Sequence, residues 1–273
     1  MKKKFNYQSL IFTTIICILM IAGCKDKDDP TPSNPTDTTD TEQPYNGPTG
    51  FLRLHLHNYI DQEEVLGPNE IYTNNAGRKI SFSRTNLFIS KIELIKKDGS
   101  VYKVPGKIIL KNVDEDTYDI GDVPPGFYKS IRFYVGLDEE TNKKSPSSAT
   151  DVLSNQSMWY GSSAQPEGYA FINFEGKIDT TTNGDGSEGN MQPFSYKLGT
   201  SKNFKQVVMP EYEYAVIVNK TQFLHLYLDW NQFFRNVPLN NNANLNVSSI
   251  EVPAKDIETI IGNNIASMFK YEE

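Results

Sequence analysis

Thiols are nearly absent from this chain. Cys17 and Cys24 are its two cysteines, so nothing after residue 24 can form a disulfide, a CxxC redox pair or a thiolate metal site. Histidine is almost as scarce, with His55, His57 and His225 the full set. Any bound metal must therefore be held by those imidazoles, by methionine or an aromatic, or by carboxylate and carbonyl oxygens. Basic residues are outnumbered, 27 against 34 acidic, which argues against nucleic acid, whose phosphates need cationic partners. Long apolar runs are missing too. Leu10 to Ala22 is interrupted by Thr13, Thr14 and Cys17 and falls short of the roughly 20 apolar residues a spanning helix needs. No GxSxG elbow, HExxH helix, P-loop or helix-opening GxGxxG occurs. No nucleophile and base can be paired, so an enzyme is not expected. Asn183-Gly184-Asp185-Gly186 has the composition of a calcium loop without EF-hand spacing, and reads as a solvated turn.

What is present begins with an address. Lys2, Lys3 and Lys4 form a basic n-region, the run to Ala22 an apolar h-region, and small residues then lead into Cys24. Ile21-Ala22-Gly23-Cys24 resembles the lipobox of bacterial lipoproteins. Residues 1–23 are therefore expected to be a signal peptide, with Cys24 lipidated. Each buried acyl CH₂ contributes about 0.8 kcal/mol, and more than one chain makes attachment stable. Loss of the three lysines leaves 24 basic against 34 acidic residues. Lys25-Asp26-Lys27-Asp28-Asp29 resembles the signal that sends lipoproteins of Bacteroidota-type bacteria to the outer face of the outer membrane, or is simply the solvated start of a linker. The expected location is the outer membrane, lipid-anchored, at the cell surface. From residue 24 to 48 the chain is rich in Pro, Thr, Asp, Ser and Asn, with one aromatic, Tyr45. Such a stretch buries too little apolar surface to fold and reads as a disordered tether.

Residues 49–273 then read as one domain. Phe51 to His57 alternates leucine with polar residues at period two, the pattern of a half-buried strand. Further strands are expected at 79–82, 87–95, 107–110, 128–135, 169–178, 193–198, 205–208, 215–218 and 222–228, separated by turns such as Asn75-Ala76-Gly77 and Lys97-Asp98-Gly99. Many short strands at near-regular spacing predict an all-β, immunoglobulin-like antiparallel sandwich. One short C-terminal helix is expected over 255–269, where Ile257, Ile260, Ile261, Ile265 and Met268 share a face, with Gly262 against it.

His55 and His57 lie on one face of the first strand, because side chains repeat every second residue. In 222–229 the leucines alternate with His225, which points away from that strand's leucine face. If the two strands are neighbours, all three imidazoles share a face and can hold copper or zinc. Otherwise His55 and His57 are only a strand's polar side, and His225, in an apolar and aromatic run, a hydrogen-bonded buried histidine. Met158-Trp159-Tyr160, near Tyr169 and Phe171, forms the densest aromatic patch. It reads as a loop that either binds a glycan or protein or plugs an open end of the sandwich.

Taken in order, the segments around His57, 72–77, 87–94, 123–138, Met158-Trp159-Tyr160, 168–176 and 194–199 resemble the MbnP-like domain, a family of copper-binding periplasmic and surface proteins. The resemblance runs from about residue 50 to the end. It implies a β-sandwich with a copper site built from histidines and, in characterised relatives, a tryptophan oxidised to kynurenine by a partner haem enzyme. Carried over, it implies copper at His55, His57 and His225 with Trp159 and Met158. Two departures stand out: a longer gap separates Tyr160 from Gly168-Tyr169, and Lys197 stands where a histidine is common. A metal-free module binding an extracellular glycan or protein is the alternative expectation.

Overall fold

The computed structural model describes residues 45–162, 165–249 and 256–272. The expected signal peptide, Cys24 and the tether as far as residue 44 lie outside the described residues. The principal strands are β1 (Gly50–Ile60), β2 (Glu63–Glu64), β3 (Lys79–Lys96), β4 (Thr117–Val123), β5 (Gly126–Val135), β6 (Gln165–Asp179), β7 (Met191–Gly199), β8 (Lys205–Val208), β9 (Thr221–Asp229), β10 (Asn246–Ser248) and β11 (Phe269–Tyr271). They form two sheets. The smaller runs β11-β9-β1-β2, with β4 also on β1, and the larger runs β8-β5-β3-β6-β7-β10.

The alternation in β1 becomes a buried face made of Leu52, Leu54 and Leu56, none more than 1 % exposed. Burying each such side chain stabilises the fold by roughly 1.5–3 kcal/mol. β9 repeats the pattern with Leu224, Leu226 and Leu228. The two strands lie side by side in parallel register, Leu54 opposite Leu224 and Leu56 opposite Leu226. This pair and the β7–β10 pair are parallel, while the remaining pairings are antiparallel. Their leucines meet Leu87, Ile89, Ile172 and Phe174 of the larger sheet in one core. Trp230 lies fully buried in it, stacked on Phe174 at 4.0 Å, with its indole N–H donating to Asn58 Oδ1 at 3.0 Å.

The larger sheet is covered on both faces. Alternation sends Leu87 and Ile172 inward but Phe88 and Phe171 outward, where they pack with Leu137, Leu153, Met158 and Tyr169 in a separate cluster. Trp159 and Tyr160 pack against that cluster. They do not sit in an open loop: Trp159–Ser162 is a short strand, with Trp159 opposite Tyr169 and Tyr160 opposite Gly168 of β6. The segments expected at 79–82 and 87–95 are one strand, β3, which bends at Lys91, where φ is 48°.

The C-terminal helix is shorter than its periodicity suggests. It spans Asp256–Asn264, tightens to a 3-10 turn at Ile265–Met268 and gives way to β11. Pairing with β9 claims Phe269 for the sheet. Gly262 is there for a close approach, since a Cβ would sit 2.7 Å from Asn203 Oδ1.

Candidate metal centre

With the leucines of β1 and β9 turned inward, the residues between them face out. Parallel register sets His55 opposite His225 and His57 opposite Tyr227. The three imidazoles converge: His55 Nδ1 lies 3.3 Å from His225 Nδ1 and 3.3 Å from His57 Nε2. The expectation of a shared face therefore holds, and His225, with 48 % of its side chain exposed, is not a buried core histidine.

Carboxylates arrive from three other elements. β2 folds back on the end of β1, with Glu64 opposite Tyr59, and the Glu64 carboxylate contacts His57 Nδ1. Asp116, at the start of β4, lies 3.5 Å from His55 Nε2. Glu272, just after β11, brings Oε2 to 3.6 Å from His225 Nδ1 and 3.9 Å from His57 Nε2, and its other oxygen accepts from Tyr59 Oη at 3.3 Å.

The nitrogens thus divide into two sets. His55 Nδ1 faces both His57 Nε2 and His225 Nδ1, with Glu272 Oε2 beside the latter two. The outward nitrogens of His55 and His57 face Asp116 and Glu64, the arrangement in which a carboxylate fixes the tautomer and orientation of a metal-bound imidazole. Metal–nitrogen bonds of about 2 Å place adjacent donors roughly 3–4 Å apart, so each 3.3 Å spacing from His55 Nδ1 suits a shared ion. Asp116 makes a second candidate set with His55 and His57, the donor atoms all lying within 4.8 Å of one another. The three-histidine set is linked through His55 and closes around one ion when the His57 or His225 ring turns between rotamers. Burial pushes the Asp116 carboxyl up, but the Thr117 hydroxyl and charge on His55 and His57 outweigh it and hold the group below the usual carboxylate range. Burial and the nearby carboxylates of Glu272 and Glu64 raise the Tyr59 phenol, leaving it a hydrogen-bond donor at neutral pH.

Met158 and Trp159 are not brought to this cluster. The histidines lie on the outer face of the smaller sheet, whereas Met158 is fully buried on the outer face of the larger one and Trp159 packs edge-on to Tyr169 at 4.8 Å. Two sheets about 10 Å apart and a full core intervene, so the expectation that they complete the histidine set is corrected. Lys197, also on the larger sheet, places Nζ 4.9 Å over the Tyr160 ring. Sequence reasoning missed Glu64, Asp116 and Glu272. For Glu64 a signal existed, the two-residue Asp61-Gln62 turn that folds β2 onto β1; the other two arrive by long-range pairing.

A search of curated proteins finds no match. Among solved structures, the chain is similar to MbnP from Methylosinus trichosporium, at 14 % identity and a TM-score of 0.47, over 68 % of this chain and 78 % of that one. Residues 49–250 match the sequence model of the MbnP family. That match takes in His55, His57 and His225 together with most of both sheets, and the chain belongs to the MbnP family.

Proposed function

We propose that this protein binds a copper ion at His55, His57 and His225 and carries it on a membrane-anchored lipoprotein. The observation that supports this most directly is the approach of His57 Nε2 and His225 Nδ1 to His55 Nδ1, at 3.3 Å each, with the Glu272 carboxylate beside the first two. Family membership and the copper expectation drawn from the sequence agree with it. An imidazole and carboxylate donor set suits Cu(II) or Zn(II), and Cu(II) binds such sites more tightly. Methionine and thiolate, the soft donors that select Cu(I), are absent from the cluster, so the oxidised ion is the expected form. A bound copper ion supplies charge and redox chemistry; the residues bind and orient it, with Glu64 and Asp116 setting the imidazole tautomers.

The test uses the chain without residues 1–24, loaded with Cu(II) and dialysed. One copper per chain is expected, with nitrogen hyperfine coupling in the electron paramagnetic resonance spectrum, and both should vanish in a His55/His57/His225 triple alanine variant. Substoichiometric copper that survives the triple substitution would remove the proposal. Zinc held in preference to copper would keep the site and overturn its metal. The lipobox supports attachment at Cys24, and the acidic cluster after it supports the outer face of the outer membrane.

A further inference from the structure

Independently of the histidine cluster, a cavity of about 410 Å³ opens at the end of the sandwich, between the Asn74–Arg78 turn and the segment from Asn231 to Asn240. Its volume is within the usual range of small-molecule sites, about 300–1,000 Å³. The lining combines Phe234, Val237, Pro238 and Leu239 with several asparagines and two arginines, Arg78 and Arg235. No acidic residue lines it, which is notable in a chain whose formal charge is −7. Among the described residues, neither arginine has a carboxylate within ion-pair distance.

One buried group at this cavity lacks a partner. Asn231 is 4 % exposed; its Oδ1 accepts from the Asn75 backbone N–H at 3.3 Å, and its Nδ2 donates to nothing. The amide cannot be turned round to cure this, because the Asn75 N–H needs an oxygen opposite it. A buried unmade donor costs about 1–3 kcal/mol; this nitrogen is shielded where it stands, and a ligand's acceptor reaches it only when the Asn231 amide swings toward the cavity. Both walls are pinned. Asn74 Oδ1 accepts from Ala76 and Arg78 N–H, Arg78 Nη1 donates to the carbonyls of Asp179 and Thr181, and Asn264 holds the carbonyls of Phe233 and Arg235 through Nδ2 while its Oδ1 accepts from Arg235 Nη2. The two arginines are thus held in place before any ligand arrives, which lowers the ordering cost of binding.

We propose that this cavity is a binding site for a small organic carboxylate. Guanidinium groups match a carboxylate's paired oxygens, and a lining without acid disfavours a metal ion. The same chemistry is offered by a free metabolic acid and by a uronic acid at the end of a glycan. Isothermal titration of the purified full chain in detergent with succinate, D-glucuronate and D-glucose separates them. Saturable binding of a carboxylate is expected, weakened at least about tenfold in Arg235→Gln, with no binding of glucose. Glucuronate alone would identify a sugar acid, and succinate as well a general carboxylate site. Asn231→Asp, which sets a negative charge against the ligand, should abolish binding and, as a buried carboxylate, lower the melting temperature; if that variant unfolds, Arg235→Gln decides. Failure of both acids to bind at millimolar concentration, equal binding of glucose, or insensitivity to Arg235→Gln would overturn the proposal.

Discussion

His55 occupies the middle of the histidine cluster, so its removal breaks two donor contacts at once. His55→Ala is expected to lower copper affinity by more than about tenfold, and Glu64→Gln, which touches only the outward nitrogen of His57, by about ten- to a hundredfold, both read by competition against a chromophoric chelator. The faces of His55, His57 and His225 were legible in the leucine alternation of β1 and β9. Their meeting was not, because pairing partners far apart in sequence leave no trace in either strand's own pattern. Met158 and Trp159 were misplaced for the same reason: an aromatic run announces burial without saying which sheet it covers. Lys111 carries a second prediction. Fully buried, it donates from Nζ to the carbonyls of Asn112 and Glu115, closing the loop that ends at Asp116. Burial pushes its ammonium down to about 7, against the opposing pull of Asp116, Glu115 and Asp114. Between about pH 7 and the ordinary lysine value, the unfolded chain binds the extra proton, so stability should rise with pH across that window. In denaturant unfolding at pH 7 and pH 9.5, the native protein should gain on Lys111→Met by up to a few kcal/mol, at about 1.4 kcal/mol per pH unit. Parallel curves for the two proteins would refute it.

Among the elements, the C-terminal segment does more than close the sandwich. β11 pairs with β9, Tyr271 opposite Leu226, and this pairing carries Glu272 to the histidines although it lies beyond the residues matched by the family. Glu272→Gln should leave the fold intact and weaken Cu(II) binding by about tenfold; an unchanged affinity would return the fourth donor position to Asp116. The helix was legible in its isoleucines, but its end was not, because the choice between one more helical turn and a strand at Phe269 is made by an edge of β9 that the local sequence does not contain. β6 offers a sharper test. Gly176 sits opposite Phe82 where the β3–β6 register shifts, and a Cβ there would lie 2.0 Å from the Ser81 carbonyl oxygen. The neighbour is backbone and cannot swing aside. Gly176→Ala should therefore cost about 2 kcal/mol or more, seen as a lowered melting temperature without loss of any metal donor.

At the scale of the molecule, one core joins the inner faces of both sheets, and among the described residues the cluster around Phe88 and Met158 stands apart from it. Residues 45–273 should accordingly unfold in one calorimetric transition. If Cys24 carries the lipid, Cys24→Ser should move the protein from the membrane fraction to the soluble one and end labelling by palmitate. The parallel register of β1 and β9 also sets an order of events. His55 and His225 are 170 residues apart, and closing so long a loop is among the slower steps a chain can take. A chain emerging in N-to-C order presents β1 early, with its leucine face and one edge waiting for strands still to come. The proposed donor set is complete only after Glu272 has followed β11 into the sheet. The histidines themselves meet only when β9 has paired with β1, so the proposed ion is captured by strands already in register, and it locks this fold where it could not start it.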